Sequence, residues 1–285
     1  RRRTLPDFSG KSLARRLRRR GRSNSSPATL DSYKGRVVFF YEMYANYNDP
    51  DLALIMEKLL HAHGVDVIFP PQRSSGILEM AYGLPAKAAA TARYNLNATL
   101  PYVRAGATLV SGEPTASFAF RSHYADYVDG PTVTEVASAT RDLGEFLYEW
   151  RAAHPDTAPA ASPTDLVLAY HMPCHLKAQK VAHTFFDLVA EIPGVRLTDL
   201  SAGCCGMAGT FGTKAGSFEF SMLTGRPVFE RVQEVKPNLV LSDCSSCRMQ
   251  IEQGTGVATM HPAELLAHLY GIAPARHTLS WTDNA

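Results

Sequence analysis

Cysteine is absent from the first 173 of the 285 residues, and all five cysteines of the chain fall between positions 174 and 247. An odd, crowded set excludes the even, dispersed framework of disulfides that extracellular proteins use, and points instead to a thiolate metal site in a reducing cytosol. Long apolar runs are also missing: none approaches the ~18–20 residues that cross a bilayer. Arg1-Arg2-Arg3 leads into no apolar stretch of the secretory kind. No initiator methionine is present, so the chain reads as a processed product or a fragment. Neither G-x-G-x-x-G nor G-x4-G-K-S/T occurs, and no Ser–His–Asp set or carboxylate pair can be assigned. Hydride transfer by this chain unaided is therefore not expected, and no catalytic residue is named.

What is present describes an ordinary globular protein, 45% hydrophobic and 20% charged, long enough for one or two domains. The net charge of +2 conceals an asymmetry. Residues 1–22 hold ten Lys/Arg against Asp7 alone, which leaves 19 basic and 26 acidic residues for the body. Residues 1–34 read as a basic arm. Phe8, Leu13 and Leu17 among its arginines suggest a short amphipathic helix, and Ser23-Asn24-Ser25-Ser26-Pro27 suggests a linker. Such an arm is either a surface for anionic lipid heads or an acidic partner, or a solvated connector. Nucleic acid is not an expected partner, because no aromatic–basic interleaving follows.

From Arg36 onward, short β-rich runs alternate with helical stretches. Strands are predicted at Val37–Tyr41, Val65–Phe69, Thr108–Ser111, Leu166–Tyr170, Val195–Thr198 and Leu239–Ser242. Helices are predicted near 50–63, 84–103, 133–152, 178–191, 217–233 and 262–270. That alternation implies α/β structure with largely parallel sheets. The Ala/Pro-rich stretch 158–164 divides the body at its middle, giving domains at 35–157 and 158–285. Their landmarks recur at matching intervals. Thirty residues separate Met43 from Ser74, and 29 separate Cys174 from Cys204; 37 separate Ser75 from Glu113, and 38 separate Cys205 from Cys244. Such agreement indicates a duplication, in which Met43, Ser74, Ser75, Glu113 and Ala116 stand where the second copy has its cysteines.

The second copy reads C-x29-CC-x38-C-x2-C. Two thiolates one helical turn apart grip one metal atom or one cluster edge. Adjacent cysteines suit a multinuclear cluster, whose separate irons neighbouring sulfurs can reach, and five thiolates exceed the four positions of a structural zinc. Glycines recur at 203, 206, 209 and 212, where backbone N–H groups can approach a cluster and donate to its sulfurs. His171 and His175 flank Cys174 as candidate ligands, second-layer donors or core residues. His261-Pro262 reads as a helix start.

These segments together resemble a known family. Tyr170-His171-Met172-Pro173-Cys174-His175, Gly203-Cys204-Cys205-Gly206-Met207-Ala208-Gly209, Ser242-Asp243-Cys244-Ser245-Ser246-Cys247-Arg248-Met249-Gln250 and His261-Pro262 are similar to the cysteine-rich CCG domain family. Within it, the likeness is to iron–sulfur proteins resembling the C subunit of anaerobic glycerol-3-phosphate dehydrogenase and the B subunit of heterodisulfide reductase. Asn46-Tyr47-Asn48-Asp49-Pro50 and Pro70-Pro71-Gln72 look like the first-domain signature, so the likeness runs from about Phe39 to Leu266. It implies two tandem CCG domains related by pseudo-twofold symmetry, the first degenerate. It implies a 4Fe-4S cluster, noncubane in some relatives, on Cys174, Cys204, Cys205, Cys244 and Cys247, with Gly203, Gly206 and Gly209 lining it. It implies non-catalytic electron transfer beside a flavin-containing dehydrogenase subunit and a ferredoxin-like domain or subunit, toward a quinone or other acceptor. The location implied is cytoplasmic, peripheral on the inner face of the membrane. Some CCG domains hold zinc, so a structural adaptor remains open, as does a thiol or disulfide reductase working at an open cluster.

Overall fold

The computed structural model describes residues 3–21, 33–181, 183–274 and 276. It divides into two compact units, one formed by Phe8–Ala158 and the other by Pro159–Ala285 together with the N-terminal residues through Asp7.

The first unit is built on β1 (Gly35–Phe40), β2 (Val65–Ile68), β3 (Thr108–Ser111) and β4 (Thr140–Asp142), all parallel, in the order β2-β1-β3-β4. Its helices are α1 (Leu13–Arg19), α2 (Pro50–Ala62), α3 (Ile77–Ala81), α4 (Pro85–Arg104), α5 (Pro114–Arg121), α6 (Pro131–Ser138) and α7 (Leu143–Ala153). The second unit repeats the plan with β5 (Leu166–Tyr170), β6 (Val195–Asp199), β7 (Leu239–Leu241) and β8 (Thr259–Met260), again parallel, in the order β6-β5-β7-β8. Its helices are α8 (Cys174–Ala178), α9 (Thr184–Ala190), α10 (Phe218–Val235), α11 (Ser245–Thr255) and α12 (Pro262–Leu269). Identical strand order supports the duplication that the intervals indicate.

Parallel strands covered on both faces must be apolar throughout. Val37, Val38, Phe39 and Phe40 are accordingly buried, as are Leu239, Val240 and Leu241. The two cores also correspond. In the first, Val38, Leu109, Ala116 and Phe120 pack together; in the second, Ala169, Val240, Cys247 and Ile251 do. Ala116 and Cys247 thus hold equivalent core positions one helical turn before Phe120 and Ile251.

Two expectations need correction. The helix predicted over 133–152 is broken, because the Asp142 side chain accepts from Gly144 N–H (3.2 Å) while Glu145 accepts from Asp142 N–H (3.2 Å). That reciprocal cap starts α7 and frees Thr140–Asp142 to pair as β4. The helix predicted over 178–191, whose residue 182 lies outside the described residues, begins at Thr184; α8 precedes it and ends before Lys180, which sits at φ +57°. The basic arm does form a helix, α1, and its buried Leu13 and Leu17 spend their apolar side within the first unit. Asn46 Oδ1 accepts from Ala14 N–H at 3.0 Å, and Asp49 caps α2 at Leu52 N–H (3.2 Å), so the Asn46–Pro50 motif is a helix-docking and capping device. The linker read at residues 23–27 lies outside the described residues. No described helix is long and apolar enough to cross a membrane.

Candidate metal centre

All five cysteines sit beyond the carboxyl ends of β5, β6 and β7. The chain leaves central strand β5 for β6 on one side and later returns to β7 on the other, so the loops after β5 and β7 diverge and open a crevice. Open α/β sheets bind their ligands at such a switch point. Cys174 opens α8, Cys204 and Cys205 lie in the loop after β6, Cys244 caps the N-terminus of α11, and Cys247 lies in its first turn. The positive end of the α11 dipole therefore faces the thiols and favours their anionic forms.

Cys205 Sγ and Cys247 Sγ are 3.3 Å apart, and His171 joins them with all three ligand atoms within 4.8 Å. Two sulfurs bound tetrahedrally to one metal at ~2.3 Å would be about 3.8 Å apart, so the pair would need to open slightly for both sulfurs to reach one metal atom. His171, Cys205, Cys244 and Cys247 are buried, whereas Cys174 and Cys204 are exposed. Adjacent Cys204 and Cys205 thus direct one sulfur outward and one inward.

The thiols also act on one another. Hydrogen bonds from Cys204 and Cys247, with a further one from His171, outweigh burial and hold the Cys205 thiol far below its usual range. Cys204 and Cys247, hydrogen-bonded to Cys205, are held well above theirs, with burial adding to the effect. Cys174 is raised by burial, then by the charges of Cys244 and Cys205. These influences connect all five sulfurs. One thiolate suppresses ionisation of Cys174, Cys204 and Cys247, a frustration that a bound cation or cationic cluster would relieve. The donor set fits a thiolate-ligated cluster or metal.

The surrounding frame is hydrogen-bonded. Arg248, buried one residue after Cys247, donates to the carbonyls of Ser242 (2.8 Å) and Asp243 (3.1 Å) and shapes the turn into Cys244. Tyr170 donates to Asp243 at 2.7 Å. Gly206 N–H donates to Cys204 Sγ at 3.3 Å. Gly206, Gly203 and Gly209 all have positive φ, and so do Ser201 and Ala208, a conformation costing about 1 kcal/mol or more at each non-glycine. His175 lies on α8, partly buried, outside the group of three. His261 does start a helix: its Nδ1 caps Ala263 N–H at 3.0 Å and its ring packs edge-on against Phe185. Spacing alone indicated the cysteines. It did not indicate Arg248, Tyr170 or Asp243, though a charged side chain immediately after a C-x2-C pair was a usable signal.

The first unit fills the equivalent place with a polar network. Met43, Ser74, Ser75, Glu113 and Ala116 supply no thiols, and Glu113 caps α5 as Cys244 caps α11. Buried Glu42 accepts from Met43 N–H (2.9 Å) and Ser75 N–H (3.0 Å), and burial pushes its carboxyl above the usual range. Tyr124 donates to Ser75 O (2.9 Å), and Asn95 donates to Ser74 O (2.8 Å) and to Tyr124 (3.0 Å). The loop that would carry a cysteine pair is thus held by side chains instead.

Known proteins match this pattern. Residues 168–252 match the cysteine-rich domain family, CCG. Over 273 residues the chain is 33% identical to the C subunit of anaerobic glycerol-3-phosphate dehydrogenase from Escherichia coli strain K12, covering 93% of this chain and 65% of that protein. It is 25% identical over 253 residues to the B subunit of the CoM/CoB fumarate reductase from Methanothermobacter marburgensis, covering 82% and 46%. It is 25% identical over 225 residues to an iron–sulfur protein of Methanocaldococcus jannaschii, covering 78% and 42%. The chain therefore spans less than two thirds of these relatives, and it resembles subunits of dehydrogenase and reductase complexes.

Proposed function

We propose that this chain is an iron–sulfur electron-transfer subunit of a flavin-dependent dehydrogenase complex of the glycerol-3-phosphate dehydrogenase or heterodisulfide reductase kind. The observation that carries the reading is the convergence of five cysteines at one switch point, with the sulfurs of Cys205 and Cys247 in contact. Bound there, a 4Fe-4S cluster supplies one-electron chemistry at a potential the protein sets. Cys174, Cys204, Cys205, Cys244 and Cys247 would hold it. Backbone N–H groups of the Gly203–Gly206–Gly209 loop and the His171 ring would donate to its sulfurs, and Arg248 and the α11 dipole would balance its charge. The relatives' names as dehydrogenase and reductase subunits support a place in such a complex; the proposal includes a flavin-containing partner, a ferredoxin-like domain or subunit and a quinone or other acceptor. Leu13 and Leu17 are buried, so any membrane contact of the arm would be made by exposed Arg15, Arg18 and Arg19 together with the exposed apolar Leu5 and Phe8, on the cytoplasmic side.

One observation favours a second reading. Cys174 and Cys204 are exposed, which leaves one face accessible to a disulfide or thiol substrate. An anaerobic redox titration followed by EPR separates the readings. A reversible signal that appears over one electron, and is insensitive to added disulfide, supports electron relay. A signal altered by disulfide supports the reductase. Bound zinc without any signal overturns both.

A further inference from the structure

Arg3 lies far from the cysteines in sequence, yet it belongs to the second unit. Its guanidinium donates to Gly212 O at 2.9 Å, Gln253 Oε1 at 2.9 Å, Ser221 Oγ at 3.3 Å and Gln250 Oε1, and lies 4.8 Å from the Phe218 ring centroid. These partners sit on three separate pieces: the turn that ends the glycine loop, α10 and α11. The network continues inward. Gln250 Nε2 donates to Ser221 O and Oγ, both at 3.1 Å, and Ser221 Oγ donates to Gly206 O at 2.7 Å. Ser221 and Gln250 are fully buried. Two hydrogen bonds therefore connect Arg3 to the carbonyl of the residue after Cys205. Burial lowers the affinity of the guanidinium for its proton, and the charge of Cys205 opposes that effect, which puts the two within electrostatic reach.

A planar fork with five donors suits this place, where four acceptor atoms converge from different elements. We infer that Arg3 is a positioning residue for the metal centre: it clasps the glycine loop against α10 and α11 and supplies a positive charge, two hydrogen bonds from the carbonyl of Gly206, that raises the centre's reduction potential. This rests on the electron-transfer reading for its second part only. A cation near a centre that gains negative charge on reduction stabilises the reduced form.

The full chain is tested with Arg3→Gln, which removes the charge, and Arg3→Lys, which keeps it without the fork. In anaerobically loaded protein the Arg3→Gln potential falls, and Arg3→Lys restores most of the wild-type value. In metal-free protein, amide hydrogen exchange at Gly206 and Gly212 speeds up about tenfold or more in Arg3→Gln, as loss of charge-assisted bonds to a local clasp implies. An Arg3→Gln chain that loads no iron while Arg3→Lys loads fully also supports the inference. Unchanged potential together with unchanged exchange overturns it, as does a potential that falls equally in both variants. If the wild-type chain binds no iron or sulfide, the proposed function fails, and the exchange experiment alone decides whether Arg3 is the clasp.

Discussion

Gly206 and Gly225 meet backbone to backbone: a Cβ on Gly206 would lie 2.8 Å from Gly225 N and 2.1 Å from Ser221 O, and one on Gly225 would lie 2.2 Å from Cys205 O. The glycine loop is therefore seated on α10 with no room for a methyl group, and this contact fixes the depth of Cys205. At sequence level Gly206 suggested only a close approach of N–H groups to a cluster. The structure adds a steric reason for the same residue, since its contact partners lie on a helix well downstream in the sequence.

Gly225→Ala follows directly. An added methyl against a carbonyl must displace the loop or the helix, at a cost of about 1–3 kcal/mol. Urea unfolding measures that loss, and iron content measures whether Cys205 still reaches the centre. Full stability with full iron would show that the loop has more freedom than the packing allows.

The five thiols differ in exposure, so serine replacements should not be equivalent. Cys205→Ser and Cys247→Ser remove the buried pair and should abolish iron binding, since leaving one buried partner cannot close the site. Cys174→Ser and Cys204→Ser act at the exposed rim and should leave a labile centre that loses iron to a chelator faster than wild type. The comparison is iron retained after gel filtration with chelator. Equal retention in all four would contradict an inner and an outer layer.

Glu42 gives a pH prediction in the unit without cysteines. Its carboxyl is raised mainly by burial, so the native state binds its proton more tightly than the unfolded chain does. The corresponding stability is fully present below the unfolded value of 4.5 and is lost as pH rises through the higher folded value. Glu42→Gln lacks this titration. Urea unfolding across pH should show the variant gaining on wild type as pH increases above about 4.5. A constant difference would mean that Glu42 ionises normally in the fold.

Tyr124→Phe tests the plug that replaces the thiols. It removes the donor to Ser75 O and an acceptor for Asn95 at a fully buried site, which costs about 1–3 kcal/mol. The loss should appear in thermal or urea unfolding with no change in iron content, because the first unit has no cysteine. A fall in iron would contradict the division of labour between the units.

Much of this arrangement was legible from residues near one another in the chain. Thr108–Ser111 and Leu166–Tyr170 are short apolar, β-branched or leucine-rich runs, and the strands coincide with their predicted limits. The repeated landmark intervals correspond to the repeated strand order. Thr140–Asp142 and Thr259–Met260 were invisible because edge strands of three and two residues carry no periodicity, and one of them contains Arg141 and Asp142. The cysteines declared themselves by spacing. Arg3, Ser221 and Gln250 did not, because a polar side chain is recruited to a buried network by tertiary packing, and no local pattern records it. Glu42 was missed for the same reason, beside a methionine that marked the right place.

The most direct test of a single centre in the second unit is the content of iron, acid-labile sulfide and zinc in anaerobically purified chain. The account predicts about four irons and four sulfides per chain, the content of one 4Fe-4S cluster, lost together in Cys247→Ser. About one zinc per chain with no sulfide, or twice the predicted iron and sulfide, would contradict it.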